Sequence, residues 1–165
     1  MNSKNLKKTY FHIYERFFID NNVVVSTPFV MNRSGDILNN YCGIGLKQQL
    51  PLRLYMGYSK TNSWTISINK MYHLDFHEYN FIETNALEYA PYFNDLNKFL
   101  QKKYEKLCEK YWGIEINILS ELPRWVWLWF GSILALLLSV LMNRLEENID
   151  ISCLESLIQK NINEQ

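Results

Sequence analysis

Apolar positions recur at helical spacing from Asn5 to Ile19, at Tyr10, Phe11, Ile13, Tyr14, Phe17 and Phe18, which predicts an amphipathic helix ending at Asp20-Asn21-Asn22. Val23–Val30 is short and β-branched and reads as a strand, with Pro28 marking an edge or a bulge. Tyr41–Leu46 and Leu52–Tyr58 read as two further strands broken at Pro51, and Thr65–Asn69 alternates as another, which together suggest a meander. Met71–Tyr89 carries no clear period. Pro91–Tyr111 is the clearest helix, with a stripe of Phe93, Leu96, Phe99, Leu100, Tyr104 and Leu107 against Lys and Glu, and it should end near Trp112-Gly113. Ile114–Leu119 alternates as a strand with one wet face. Gly131–Glu146 is apolar on every side until Asn143, and Asp150–Ile162 predicts a last helix. Helix, strands, helix, strand, buried helix and helix make an α+β fold, a mixed or antiparallel sheet with helices packed on it.

The join between the last strand and the buried helix governs the functional reading. From Trp125 to Met142 no charge occurs, which approaches the length needed to cross a hydrocarbon core of roughly 30 Å. Three Trp at one end, with Arg124 and Arg144 outside, suit a membrane-interface belt. That reading gives a single-span membrane-anchored protein. Against it, an alternating strand leads in through a Pro-containing loop, and Trp125-Val-Trp-Leu-Trp129 alternates with period two rather than 3.6. A third reading is an interaction module that uses the aromatic surface.

Charge and cysteine content narrow the field. Seventeen basic and seventeen acidic residues in 165 leave no net charge and no electrostatic footprint for nucleic acid. Cys42, Cys108 and Cys153 are odd in number and form no CxxC pair, which argues against a disulfide framework or a zinc knuckle and favours a reducing, cytoplasmic setting. His73 and His77 would share a face on a helix and so suit a metal, but no third ligand stands at a clear spacing, and ordinary histidines are the plainer reading.

The segment Ile116-Asn-Ile-Leu-Ser-Glu-Leu-Pro-Arg-Trp-Val-Trp-Leu-Trp-Phe-Gly-Ser-Ile-Leu-Ala-Leu resembles the second motif of the GHMP kinases, P-x-x-x-G-L-G-S-S/G-x-x-x-A, with its preceding strand. Pro123 falls on the motif's Pro, Leu128 on its Leu, Gly131 and Ser132 on the small residues opening the helix, and Ala135 on its Ala; Trp127 and Trp129 fall on its two glycines, and Phe130 replaces a Ser. Cys42-Gly-Ile-Gly-Leu-Lys-Gln-Gln-Leu-Pro-Leu is similar to a G-G-I-G-x-A-I-x-x-P-L segment of the same superfamily. After the N-terminal amphipathic helix, taken as residues 1–22, the resemblance covers about residues 23 to 160 and implies a nucleotide-binding domain over 23–165 that is incomplete at its C-terminus. It further implies ATP and Mg²⁺ as cofactors, a small metabolite as phosphoryl acceptor, and a phosphate cradle made by Trp127 to Ser132 behind Pro123. In that family the catalytic Asp and a third, Gly-rich motif lie further along, so the expected partner for catalysis is a separate C-terminal piece.

Such a cradle needs successive backbone N–H groups turned to one anion at a helix N-terminus, with no Cβ in the way, and Trp at two of its positions would obstruct it. All five Trp stand where the chain calls for Gly: Trp64 in a turn between strands, Trp112 at the expected helix C-terminal cap, and Trp125, Trp127 and Trp129 in the loop. A gene that reads UGA as glycine, translated with a table in which UGA means Trp, gives this pattern. UGG codons at 127 and 129 would refute that hypothesis.

Overall fold

The computed structural model describes residues 2–34, 46–75, 80–86, 92–103, 113–122 and 131–144. Its elements in chain order are α1 (Ser3–Thr9), α2 (Phe11–Asp20), β1 (Val23–Ser34), β2 (Leu46–Lys60), β3 (Ile66–Asp75), β4 (Asn80–Asn85), α3 (Tyr92–Lys103), β5 (Ile114–Ser120) and α4 (Gly131–Arg144). The five strands form one mixed sheet in the order β1-β2-β5-β3-β4. The α+β class expected from the sequence is therefore the observed one.

The expected meander gives way to a different topology. β2 and β3 do not pair; β5 lies between them, antiparallel to β2 and parallel to β3. A parallel neighbour needs a crossover of a dozen residues or more, and the segment containing α3 makes it. With Ile114, Ile116 and Ile118 all fully buried, β5 has the apolar content of a strand covered by packing rather than of an edge. β2 runs straight through Pro51, where two strands were expected. Pro28 pairs with Arg53 and Val30 with Gln49, so Leu50 to Leu52 bulge out opposite Phe29. A proline in a bulge forfeits no ladder hydrogen bond, which is why the strand survives it.

Each face of the sheet has its own apolar cluster. On one face α3 and α4 cover Leu54, Met56, Met71, Ile116 and Ile118, supplying Phe93, Leu96, Leu100, Leu137, Leu138, Leu141 and Met142. On the other, α1 and α2 bring Leu6, Tyr14 and Phe17 onto Tyr55, Tyr72, Leu74, Phe81 and Leu119. Burying side chains of this size contributes about 1.5–3 kcal/mol each. The single helix expected over Asn5–Ile19 is two, broken at Tyr10, whose backbone (φ −112°, ψ 37°) ends α1 and opens α2. The break sets the rings of both Tyr10 and Tyr14 edge-on to Phe81, at centroid distances of 5.4 and 5.7 Å.

α4 is a packed helix with one wet edge. Leu137, Leu138, Leu141 and Met142 face the core while Val140 is 39% exposed, and Asn143 and Arg144 face solvent. The 14 described residues of α4 extend about 21 Å. Among the described residues no helix is long and apolar enough to cross a membrane.

Candidate functional site

β5 is the central strand and ends at Ser120, and the next element among the described residues, α4, begins at Gly131. Strand exits of this kind put a loop beside a helix N-terminus, where free backbone N–H groups and the aligned peptide dipoles favour an anion. Gly131 and Ser132 occupy the first two positions of that helix and Ala135 its second turn. Pro123, Trp127, Leu128, Trp129 and Phe130 lie outside the described residues, as do Trp112, Trp125, the Cys42–Gly45 segment and the helix expected over Asp150–Ile162.

A buried carboxylate fixes the strand's exit. Glu121 is fully buried, and its Oε2 accepts from the Arg53 backbone N–H at 2.7 Å. Its Oε1 accepts from Ser3 Oγ at 2.7 Å, Tyr14 OH at 2.8 Å and Tyr55 OH at 3.3 Å. The Glu121 N–H in turn donates to the Arg53 carbonyl at 3.1 Å. Next to it, Ser120 Oγ donates to the Leu122 carbonyl and accepts from the Leu122 N–H, both at 3.1 Å. Among the described residues no cation pairs with this carboxylate; the Arg53 guanidinium is engaged with Ser26. Four donors do what a counter-ion would, since a buried charge is tolerated when its lone pairs are filled. The same contacts bind α1, α2 and β2 to the residue two before Pro123.

The electrostatic consequence falls on Tyr14. Burial raises its hydroxyl well above the ordinary phenol range, and the Glu121 carboxylate it donates to raises it further. It is therefore a fixed donor rather than a titrating group. Lys7 lies over the Tyr55 ring, its Nζ 5.0 Å from the centroid, and caps this aromatic cluster on the solvent side of α1. Sequence reasoning placed Glu121 in a plain loop. Its only visible signal was an acid directly after an apolar strand.

The histidine pair is not a helical one. His73 belongs to β3, is buried, and hydrogen-bonds Thr84 of β4 through Nε2 at 3.2 Å; His77 lies outside the described residues. No cluster of three or more potential metal ligands occurs among the described residues.

Comparison with known proteins is sparse. No protein-family model matches the chain, and no curated protein does. Among solved structures it is similar to a mevalonate kinase, with a TM-score of 0.44 and 13% identity over 87% of this chain and 48% of that one. A second, the mevalonate kinase of Methanococcus jannaschii, has a TM-score of 0.43 and 15% identity over 87% of this chain and 47% of that one. The chain thus spans about half the length of these structures.

Proposed function

We propose that the chain is the nucleotide-binding part of a small-molecule kinase of GHMP type, which holds ATP and Mg²⁺ while the γ-phosphoryl group passes to a metabolite hydroxyl or phosphate. The observation that carries the proposal is the passage from the central strand β5, through the motif residues Pro123 to Phe130, to a helix that opens at Gly131 and Ser132. A helix N-terminus directs N–H groups and partial positive charge to a phosphate, and the Ser132 hydroxyl is of the type that contacts phosphate or Mg²⁺. Bound ATP and Mg²⁺ supply the transferable group and the neutralising charge; the residues from Trp127 to Ser132 position them. The Glu121 network fixes where that loop begins and takes no part in the transfer. A protein of this kind acts by positioning and charge stabilisation.

Trp127 and Trp129 oppose the cradle as written, because a Cβ at each stands between backbone N–H groups and an anion. The test compares thermal stability with and without Mg-ATP for the chain and for its Trp127→Gly/Trp129→Gly variant. A nucleotide-dependent rise in Tm in the double variant, small or absent in the parent, is expected. No rise in the double variant, or protection from hydrogen exchange that maps away from the start of α4, refutes the proposal.

A further inference from the structure

α1 and α2 cover the same face of the sheet but are held to it unequally. α2 buries Tyr14 and Phe17 and is tied at its end by Asn21, whose side chain donates to the Phe17 carbonyl and accepts from Asn117. α1 buries one residue, Leu6, in the cluster of Tyr14, Tyr55 and Leu119. Its other holds are polar. Ser3 Oγ donates to Glu121 Oε1 at 2.7 Å and lies 3.2 Å from the Tyr55 hydroxyl. The Lys7 ammonium stands 5.0 Å from the Tyr55 ring centroid and 5.9 Å from those of Tyr14 and Phe18. All these contacts converge on the surroundings of Glu121. An element that buries so little opens locally at a free energy well below that of global unfolding.

What α1 covers there is the end of a ladder. Leu54 and Ser120 are the last pair between β2 and β5, and Arg53 and Glu121 come next in register. A hydrogen-bonded antiparallel pair exchanges two backbone bonds. Here the Glu121 N–H donates to the Arg53 carbonyl at 3.1 Å, but the Arg53 N–H goes to the Glu121 side chain, to Oε2 at 2.7 Å. The carboxylate takes the place of a strand carbonyl. It is fully buried, with Oε1 filled by Ser3, Tyr14 and Tyr55. Open to water and short of one donor, it would hydrate, and the bond that closes the ladder would compete with solvent.

We propose that α1 is a latch on the end of β5. Docked, it keeps the Glu121 carboxylate dry and the Arg53–Glu121 pair closed; released, it lets that pair fray together with Leu122, the last described residue before the segment assigned to nucleotide. The coupling of α1 to the strand end stands on the geometry alone, and its bearing on nucleotide rests on the reading proposed above. Coupling of this kind is reciprocal, so an occupant that orders the strand end also holds α1 down.

Residue-resolved hydrogen exchange on the full chain tests the latch. Leu6→Ala removes the one buried side chain of α1 and no atom of the Glu121 network. The α1 amides should then exchange about tenfold faster or more, and the Arg53 and Glu121 amides should follow them, while Leu96 and Leu100 of α3, on the other sheet face, keep their rates. Ser3→Ala, which leaves Leu6 in place, should speed exchange at Arg53 by the loss of one donor to Glu121; it decides the matter if Leu6→Ala loses its helical circular dichroism. Open α1 amides in a folded Leu6→Ala variant with parental rates at Arg53 and Glu121, or a parental Arg53 rate in Ser3→Ala, overturns the proposal. In the Trp127→Gly/Trp129→Gly background, Mg-ATP should slow exchange throughout α1. No rise in Tm with Mg-ATP there refutes the kinase reading alone; a rise in Tm with α1 exchange unchanged overturns the link between latch and site.

Discussion

Trp64 has φ +54°, in the left-handed region that a large side chain rarely enters, and it is 53% exposed. The position was suspect in the sequence because Lys60-Thr-Asn-Ser-Trp64 is a turn in which Gly is the expected residue, and the backbone now gives the physical reason. Holding a non-glycine residue there costs about 1–3 kcal/mol. Trp64→Gly should therefore raise stability by about 1 kcal/mol in urea denaturation; a loss of that size would show that the indole contributes more than the strain costs. At Tyr14 the effect depends on pH. The folded hydroxyl keeps its proton at a pH where an unfolded tyrosine loses it, so the stability is complete below about pH 10 and falls as pH rises beyond it, by about 1.4 kcal/mol per pH unit for one proton. Tyr72, pushed up to about 12 first by burial and then by Glu83, adds to the fall in the same window. Tyr14→Phe should flatten the alkaline limb of a stability-against-pH curve while costing about 1–3 kcal/mol at neutral pH through the lost bond to Glu121. An unchanged alkaline limb would exclude Tyr14 as its source.

Elements with a strong period were legible in the sequence, and those shaped by their neighbours were not. α3 from Tyr92 to Lys103 and the span of β5 were legible because their apolar positions keep one spacing, but the wet face expected of β5 is covered, with Asn117 and Leu119 both buried. β4 was invisible: Asn80-Phe-Ile-Glu-Thr-Asn85 has two apolar residues and is a strand because β3 lies beside it. The helix break at Tyr10, which brings its ring against Phe81 of β4, was not legible either. Pro51 misled because a proline ends a regular strand yet is tolerated in a bulge, and the bulge depends on β1. The start of α4 at Gly131 was legible from its small residues; Glu121 was not, because its four donors come from α1, α2 and β2. The close packing at Gly57 is of the same non-local kind. A Cβ there would stand 2.6 Å from the Asn21 side chain, which its bonds to Phe17 and Asn117 hold in place. Gly57→Ala should cost about 1–3 kcal/mol and loosen the C-terminal end of α2, visible as faster hydrogen exchange at Asn21 and Asn22. Exchange rates there equal to the parent's would mean that the Asn21 amide gives way instead.

For the molecule as a whole, the order of strands in space differs from their order in the chain. β1 with β2 and β3 with β4 are neighbours in sequence, and each pair forms an antiparallel ribbon by itself. Neither ribbon touches the other through backbone bonds; β5 joins them, and it follows β4 by the whole of the α3 segment. Closing that long loop costs entropy before any contact repays it. The rate-limiting step of folding should be the entry of β5 between two preformed ribbons. Ile118→Val, a cost of about 0.5–1.5 kcal/mol in the middle of β5, should then appear chiefly as slower refolding, and so should Ile82→Val in β4, whose ribbon is formed before that step. Faster unfolding with unchanged refolding in Ile118→Val would place the entry of β5 after the barrier. During synthesis the same geometry has a temporal meaning: until residue 120 is clear of the ribosome, β2 and β3 each present an open edge, and α1 and α2, made first, have no Glu121 to hold.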